Sequence, residues 1–375
     1  MYTGLARSEA ELEKALHLAA VVFRPNEKIG AALCRKRLIM SVDENLTCND
    51  VVILVIDERV VATCFLIERQ LIRGDQKLAS VFLSSICVDQ EFRGRGLSKM
   101  LIDTALAVCH EREYALAFVI ARRSVDYFYT QFGFYGISQY AKAEVYWPEA
   151  RINAGIKFEK TSLQHLDSLQ EAYQSTYLTL NGAFVRKASF WLSILDRCNA
   201  GDVTLEICKV EGRGVAYVAS LDGQVLEMAC TNHSLWTSLV ETLVAKSSGH
   251  TLTINCSPEH PVVRALTNID VTISRRQCLF GGHMVKILSP KTLLDLLHRE
   301  LGKAKANLKC PAVLVIPGFV TISSEKKRSH ICIDDTLPEW EKAHVLMGAE
   351  SITSKHILAP WITSSSFNIP YFDQV

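Results

Sequence analysis

Val81-Phe82-Leu83-Ser84-Ser85-Ile86-Cys87-Val88 runs straight into Asp89-Gln90-Glu91-Phe92-Arg93-Gly94-Arg95-Gly96-Leu97-Ser98, and this join decides the fold. The first piece is a β-rich run that ends at Val88. The second is a glycine-containing loop, and a helix starts where it ends. A glycine turn feeding a helix N-terminus leaves backbone N–H groups pointing outward, in a dipole that favours negative charge. Glycine also lets the backbone come close to a phosphate. Arg93 and Arg95 add positive charge. The loop lacks the Gly-Lys-Ser/Thr of a Walker sequence, and it lacks the third glycine of a dinucleotide fingerprint.

Working outward, Ser98 to Arg112 reads as a helix with Leu101, Ala105, Val108 and Cys109 on one face. Tyr114 to Ala121 is a short apolar strand. Ser124 to Phe132 reads as helical and is closed by Gly133. Lys142 to Trp147 is expected as the last strand of this unit, before Pro148. Upstream, Ser8 and Glu11 form a capping box, and Leu12, Leu16 and Ala19 recur at helical spacing, so a helix is predicted from about 9 to 22. Val51 to Ile56, Val60 to Glu68 and Ala79 to Val88 form an antiparallel meander, turned at Asp57-Glu58 and Arg73-Gly74-Asp75. A meander followed by helix, strand, helix and strand makes an α/β fold: a mixed sheet with flanking helices and one parallel crossover.

Residues 148–160 read as a linker. Beyond them Thr161 with Gln164 starts a helix. Val215 to Ser220 and Gln224 to Ala229 flank a Leu221-Asp222-Gly223 turn, followed by a helix at Leu235 to Lys246, a strand at Thr251 to Cys256 and a helix at Pro258 to Thr267. This order repeats the first half in outline, without its glycine loop. Gly212-Arg213-Gly214 precedes a strand rather than a helix and reads as a hairpin turn. From Pro290 a helix with Leu293, Leu294 and Leu297 opens a smaller unit, with a strand at Ala312 to Ile316 and a helix at Glu339 to Met347.

Composition narrows the function classes. The 375 residues and 41.9 kDa fit two or three domains. With 49% hydrophobic and 22% charged residues the chain is globular, and a net charge of +1 gives no general attraction to nucleic acid or an anionic membrane. Glu9, Glu11 and Glu13 stand where a signal peptide needs an apolar core, and Cys310 to Ser324 is too short for a bilayer, so a cytoplasmic protein is expected. The 12 cysteines show no Cys-x-x-Cys pair, and the 11 histidines no ligand spacing, so neither disulfides nor a metal site is predicted.

Arg93-x-x-Gly96-x-Ser98 after a strand resembles the acetyl-CoA loop of the GNAT N-acetyltransferases, with Ser98 at a position that is Gly or Ala in the family pattern. Phe128-Tyr129-Thr130-Gln131-Phe132-Gly133-Phe134 resembles the second motif of the same superfamily, in the same order along the chain. The resemblance implies an acetyl-CoA-dependent transfer to a primary amine, borne by a small molecule or by a protein lysine. It implies no metal, nucleic acid or membrane partner, and it leaves a homo-oligomer open. Tyr129 would protonate the leaving thiolate, and Tyr127 would be a packing residue. Ile86, Cys87 and Val88 would hold the pantetheine and polarise the thioester. Arg93, Gly94, Arg95, Gly96, Leu97, Ser98 and Lys99 would hold the pyrophosphate, and Ser124 and Val125 would also touch CoA.

The whole chain further resembles the enhanced-intracellular-survival-type acetyltransferases, which join a catalytic GNAT domain, a degenerate GNAT-like domain and a sterol-carrier-protein-like domain. Carried over, these are residues 1–147, 148–288 and 289–375. In that group the chain's own terminal carboxylate, here that of Val375, serves as the general base. The apolar Ile369, Tyr371, Phe372 and Val375 lead us to expect a docked tail.

Other readings stand beside these. A GNAT scaffold can bind an acyl-CoA or a partner without turnover, and a longer acyl chain can replace acetyl. Cys87 can be a buried small residue or an acyl carrier. Glu325-Lys326-Lys327-Arg328 reads as a solvated loop. A cationic acceptor would want carboxylates at the cleft, and the sequence alone does not place Asp43, Glu44 or Glu68 there.

Overall fold

Three strands rich in β-branched residues, β2 (Val51–Ile56), β3 (Arg59–Arg73) and β4 (Gln76–Val88), form the meander. They sit in a seven-stranded mixed sheet with β1 (Tyr2–Leu5) and β5 (Leu116–Ala121), then β14 (Gly282–Ile287) and β6 (Tyr135–Gly136), in the order β1-β2-β3-β4-β5-β14-β6. A second seven-stranded sheet runs β13 (Val271–Gln277), β7 (Gln139–Tyr146), β12 (Thr251–Cys256), β11 (Gln224–Cys230), β10 (Arg213–Leu221), β9 (Thr204–Val210) and β8 (Ile156–Lys160). A three-stranded antiparallel sheet follows, of β15 (Val313–Ile316), β16 (Val320–Glu325) and β17 (Arg328–Ile333). The computed structural model describes all residues except 41–45, 74, 122, 202, 268, 278–281, 294, 297–298, 300–312, 317–319, 326–327, 334–337, 348–366 and 375.

Helices cover both faces of the first sheet. Helix α1 (Glu9–Phe23) starts where Ser8 Oγ accepts from Glu11 N at 3.3 Å, and it buries Leu12, Leu16 and Ala19 on one face. Helix α2 (Ile29–Met40) follows it. On the other face, α3 (Leu97–Glu111) buries Leu101, Ile102, Ala105, Val108 and Cys109 against Val52, Leu54, Leu83 and Val119. Helices α4 (Leu166–Tyr177) and α5 (Ala188–Asn199) belong to the second half, yet Tyr173, Phe190 and Trp191 share one core with Phe82 and Phe118 of the first sheet. Helices α6 (Trp236–Lys246) and α7 (Pro261–Ala265) cover the outer face of the second sheet.

Three expectations change. The strand expected to close the first sheet, Lys142 to Trp147, is β7, and it lies in the second sheet between β12 and β13. In return β14, from the second half, inserts in the first sheet between β5 and β6. Alternation along β7 buries Ala141, Ala143 and Val145 and exposes Lys142 and Glu144, which defines a half-buried strand but not its partner. The expected linker 148–160 contains β8, an edge strand paired with β9. The helix expected from Pro258 to Thr267 shortens to α7. Lys326 and Lys327 of the charge run lie outside the described residues. Among the described residues, no helix is long and apolar enough to cross a membrane.

His260 and His283 are fully enclosed. Burial pushes both His260 and His283 down to about 4. The unfolded chain protonates each near 6.5, so their contribution is whole above that pH and is lost as pH falls from 6.5 towards 4. The unfolding free energy should fall over that window by up to about 1.4 kcal/mol per pH unit for each histidine, and the melting temperature with it. His260→Gln should flatten the slope in a melting series from pH 7.5 to 4.5, and an unchanged slope would refute the assignment.

Candidate functional site

The site begins with a local fault in β4. Across β3, Cys87 faces Thr63 and Ser84 faces Phe65, so Ser85 and Ile86 together oppose Cys64. Ser85 takes a φ of 50°, the sign of a bulge that bends the strand. On its other side β4 pairs with β5 in parallel only at Ser80, Val81 and Phe82. Beyond Phe82 the two strands part and leave a wedge. The backbone of β4 from Ser84 to Val88 faces that wedge without a ladder partner, which gives it donors and acceptors for an extended ligand.

A cavity of about 640 Å³ fills the wedge, walled by β4 from Leu83 to Val88, by the loop, and by Phe128 and Tyr129. It brings Ile86, Cys87, Val88, Arg93, Gly94, Gly96, Leu97, Ser98 and Tyr129 to one surface. Arg95 and Lys99 are not in its wall. The Arg95 guanidinium lies over the Phe92 ring at 5.0 Å, and Lys99 pairs with Asp103 at 2.7 Å. Ser124 and Val125 belong to the 3-10 helix Arg123–Phe132, but their side chains lie outside the described residues, as does all of Val375.

The loop geometry follows from its glycines. Gly94 and Gly96 take φ of 77° and 75°, and Gly96 is the N-cap of α3 in the left-handed region. Among the described residues, the N–H groups of Gly94 to Ser98 donate to no protein acceptor. They form a row of free donors at a helix start. Arg93 Nε donates to Val88 O at 3.2 Å and ties the loop to the end of β4.

Tyr129 stands across the wedge. Its ring packs edge-on to Phe128 at 5.3 Å and to Phe134 at 6.2 Å. Its hydroxyl meets no protein partner among the described residues, and burial pushes the phenol up to about 12. The helix that carries it ends at Gly133, with φ of 79°, and Lys286 Nζ of β14 donates to Phe132 O at 2.6 Å. The exchanged strand thus fixes the helix that presents Tyr129. Tyr127 is 75% exposed, so it is not the packing residue expected from sequence. Cys87 is buried, and burial pushes its thiol up to about 12. A thiol held neutral by burial is a poor nucleophile, which disfavours the acyl-cysteine alternative.

Sequence reasoning missed the far end of the cavity. Val22 and Phe23 of α1 and Ile120 of β5 line it. Lys36 of α2 is buried beside it, donating to Ser85 Oγ at 2.8 Å with its ammonium 4.3 Å from the Phe23 ring centroid. No motif marks these residues, and α2 has only a weak apolar pattern. Glu68 accepts from Tyr114 OH at 3.2 Å and is not in the wall, while Asp43 and Glu44 lie outside the described residues. Among the described residues, no group of His, Cys, Asp and Glu could hold a metal ion.

The second sheet has the same wedge, filled. Strand β11 pairs in parallel with β12 only at Gln224 and Val225. His260 Nε2 then donates to Met228 O at 3.0 Å while its Nδ1 accepts from Val262 N at 3.2 Å. Trp236 and Tyr177 close on the imidazole at 5.2 and 5.4 Å. The loop before α6, Thr231 to Leu235, contains no glycine.

Residues 6–137 match the family model described as an acetyltransferase (GNAT) domain. Among solved structures, a GCN5-related N-acetyltransferase from Anabaena variabilis matches at 13% identity over 98% of this chain and 96% of that one, with a TM-score of 0.67. Eis1 from Mycobacterium abscessus matches at 14% identity over 100% and 95%, with a TM-score of 0.60. A conserved protein of unknown function from Enterococcus faecalis, a probable N-acyltransferase, matches at 15% identity over 78% and 74%, with a TM-score of 0.61. At these identities the likeness is one of fold. No curated protein sequence matches this chain significantly.

Proposed function

We propose that the wedge between β4 and β5 transfers an acetyl group from acetyl-CoA to a primary amine, a reading supported by the match of residues 6–137 to the acetyltransferase (GNAT) domain model and by a fold like that of Eis1 from Mycobacterium abscessus. The acceptor is a small molecule or a lysine side chain. The observation that carries this reading is the single cavity joining the unpaired edge of β4, the free N–H row of Gly94 to Ser98 and the Tyr129 hydroxyl.

CoA lies with its pyrophosphate on the loop and its pantetheine along Ile86 to Val88. A backbone N–H of this segment polarises the thioester carbonyl. The neutral amine attacks the carbonyl carbon, the C–S bond breaks, and sulfur leaves with the electron pair. Tyr129 gives sulfur a proton. The amine's proton passes to the terminal carboxylate of Val375, directly or through a water. A free α-carboxyl has a pKa of about 3.5, and desolvation at the cleft would raise it towards a useful base. His260 and its neighbours fill the second wedge, so there is one CoA site per chain.

The test is thiol release from acetyl-CoA with a panel of amines, alongside calorimetry. The expected result is one CoA equivalent bound per chain and turnover with at least one amine. Binding without release on any amine would make the chain a binding module. Faster release from a longer thioester would move the donor away from acetyl. Two independent equivalents would overturn the single site.

A further inference from the structure

Phe23 of α1 and Ser85 of β4 both line the cavity, and a side chain from a third element joins them. Lys36 of α2 donates to Ser85 Oγ at 2.8 Å, and its ammonium stands 4.3 Å from the Phe23 ring centroid. Lysine is almost never buried to this degree. Lys36 is 7% exposed, yet it is not itself in the cavity wall. A methionine of similar length would fill the same space without the cost of desolvating an ammonium. The charge is explained by what it holds, not by the space it fills.

What it holds is the bulge. Leu83 and Ile86 are three residues apart, yet both pack on the face of the sheet that α3 covers. Phe82 and Cys87 are five apart, yet both pack on the opposite face, with Leu12 and Leu16 of α1. A regular strand alternates with a period of two and can do neither. The extra residue that shifts the alternation is Ser85, at φ of 50°. A non-glycine residue in that region costs about 1–2 kcal/mol. Such strain persists only where the surroundings fix it. The ladder to β3 resumes on either side, at Ser84 and at Cys87, and Lys36 supplies a bond at the strained residue itself.

We propose that Lys36 is a positioning residue for acyl transfer: bonded to Ser85 Oγ and set over Phe23, it keeps Ser85 in the left-handed region and so fixes the direction of the β4 edge from Ile86 to Val88. This rests on the reading that the edge grips the thioester. Lys36 acts through Ser85 and not on the substrate. Because Phe23 belongs to α1, the same ammonium ties the α1 side of the cavity to the strand.

Three variants of the full chain test it, assayed below their melting temperatures. Lys36→Met removes the ammonium and keeps the length. Ser85→Ala removes the acceptor oxygen and keeps Lys36. Each should lower kcat by at least ~10-fold, since small misplacements of a reacting group have effects of that order and above. KM and Kd for acetyl-CoA should stay within about 3-fold, because the loop from Arg93 to Ser98 is untouched. The double variant should lose no more than the slower single one, because both substitutions break the same bond. Two unrelated structural losses would multiply instead. Normal kcat in either single variant, or multiplied losses in the double one, overturns the proposal. A crystal structure of Lys36→Met decides the latch without turnover. Ser85 should leave the left-handed region there, and a φ still near 50° overturns the proposal. If the native protein releases no thiol with any amine, the acetyl-transfer reading falls, and the φ of Ser85 still decides whether Lys36 holds the bulge.

Discussion

Gly96→Asp is expected to abolish acetyl-CoA binding while leaving the protein folded. Gly96 has φ of +75° and ψ of 4°, and a Cβ built there meets nothing within 4 Å. The substitution therefore clashes with no neighbour. Its folding cost is the left-handed backbone, about 1–2 kcal/mol for a non-glycine residue and less for Asp. The binding cost is larger. The new carboxylate stands among the free N–H groups of Gly94 to Ser98, where it competes for them and faces the pyrophosphate. Two like charges at 4 Å repel by about 4 kcal/mol at an effective dielectric of 20, which is about three decades in affinity. Gly96→Ala separates the two effects, because it brings the backbone strain without the charge and should weaken binding by no more than ~10-fold. Calorimetry on both variants decides the matter: an unchanged Kd for the Asp variant removes the phosphate role of this loop.

The same loop shows why part of the site was legible in the sequence. Strand, glycine turn and helix start lie within 18 residues, from Val81 to Ser98, and each is a local property of backbone and side chain. The helix that carries Tyr129 was legible for the same reason. What the sequence left open is the pairing of distant pieces. β7 and β14 alternate or run apolar as any half-buried strand does, and their exchange between sheets is decided by partners more than 100 residues away. β8 was hidden by its polar composition, Ile156-Lys157-Phe158-Glu159-Lys160, which suits an edge strand as well as a linker. Arg69, Arg186, Glu227 and Asp373 each look like solvated charges in sequence. Only their convergence makes them a buried neutral set, and no spacing rule announces it. The apolar tail was legible as docked, but the partners of Phe367 and Asp373 were not.

Tyr129→Phe should lower turnover by ~10²–10⁴-fold and leave acetyl-CoA affinity near its normal value. The change removes one hydroxyl that has no protein partner among the described residues, and the ring keeps its contacts with Phe128 and Phe134. Stability should therefore hardly move. The argument for a large kinetic effect lies in the proton affinities along the cleft. Burial pushes the Tyr129 phenol up to about 12. Against a thiol of about 8.5 in water, such a phenol would give up its proton only uphill. The leaving sulfur is not in water, however. Cys87 lies in the same wall, and burial pushes its thiol up to about 12 as well. A CoA thiolate formed beside it also loses solvation, which raises its proton affinity and makes transfer from the phenol less uphill. A positioned general acid contributes typically ~10²–10⁴-fold. The pH dependence has a definite sign. Tyr129 stays protonated below about 12, so it contributes no falling limb to kcat through neutral pH, and activity is lost to its ionisation only as pH approaches that value. Steady-state kinetics on Tyr129→Phe, with CoA affinity measured separately, test the assignment. Full activity in that variant would reduce Tyr129 to a packing residue and leave the thiolate to be protonated by water.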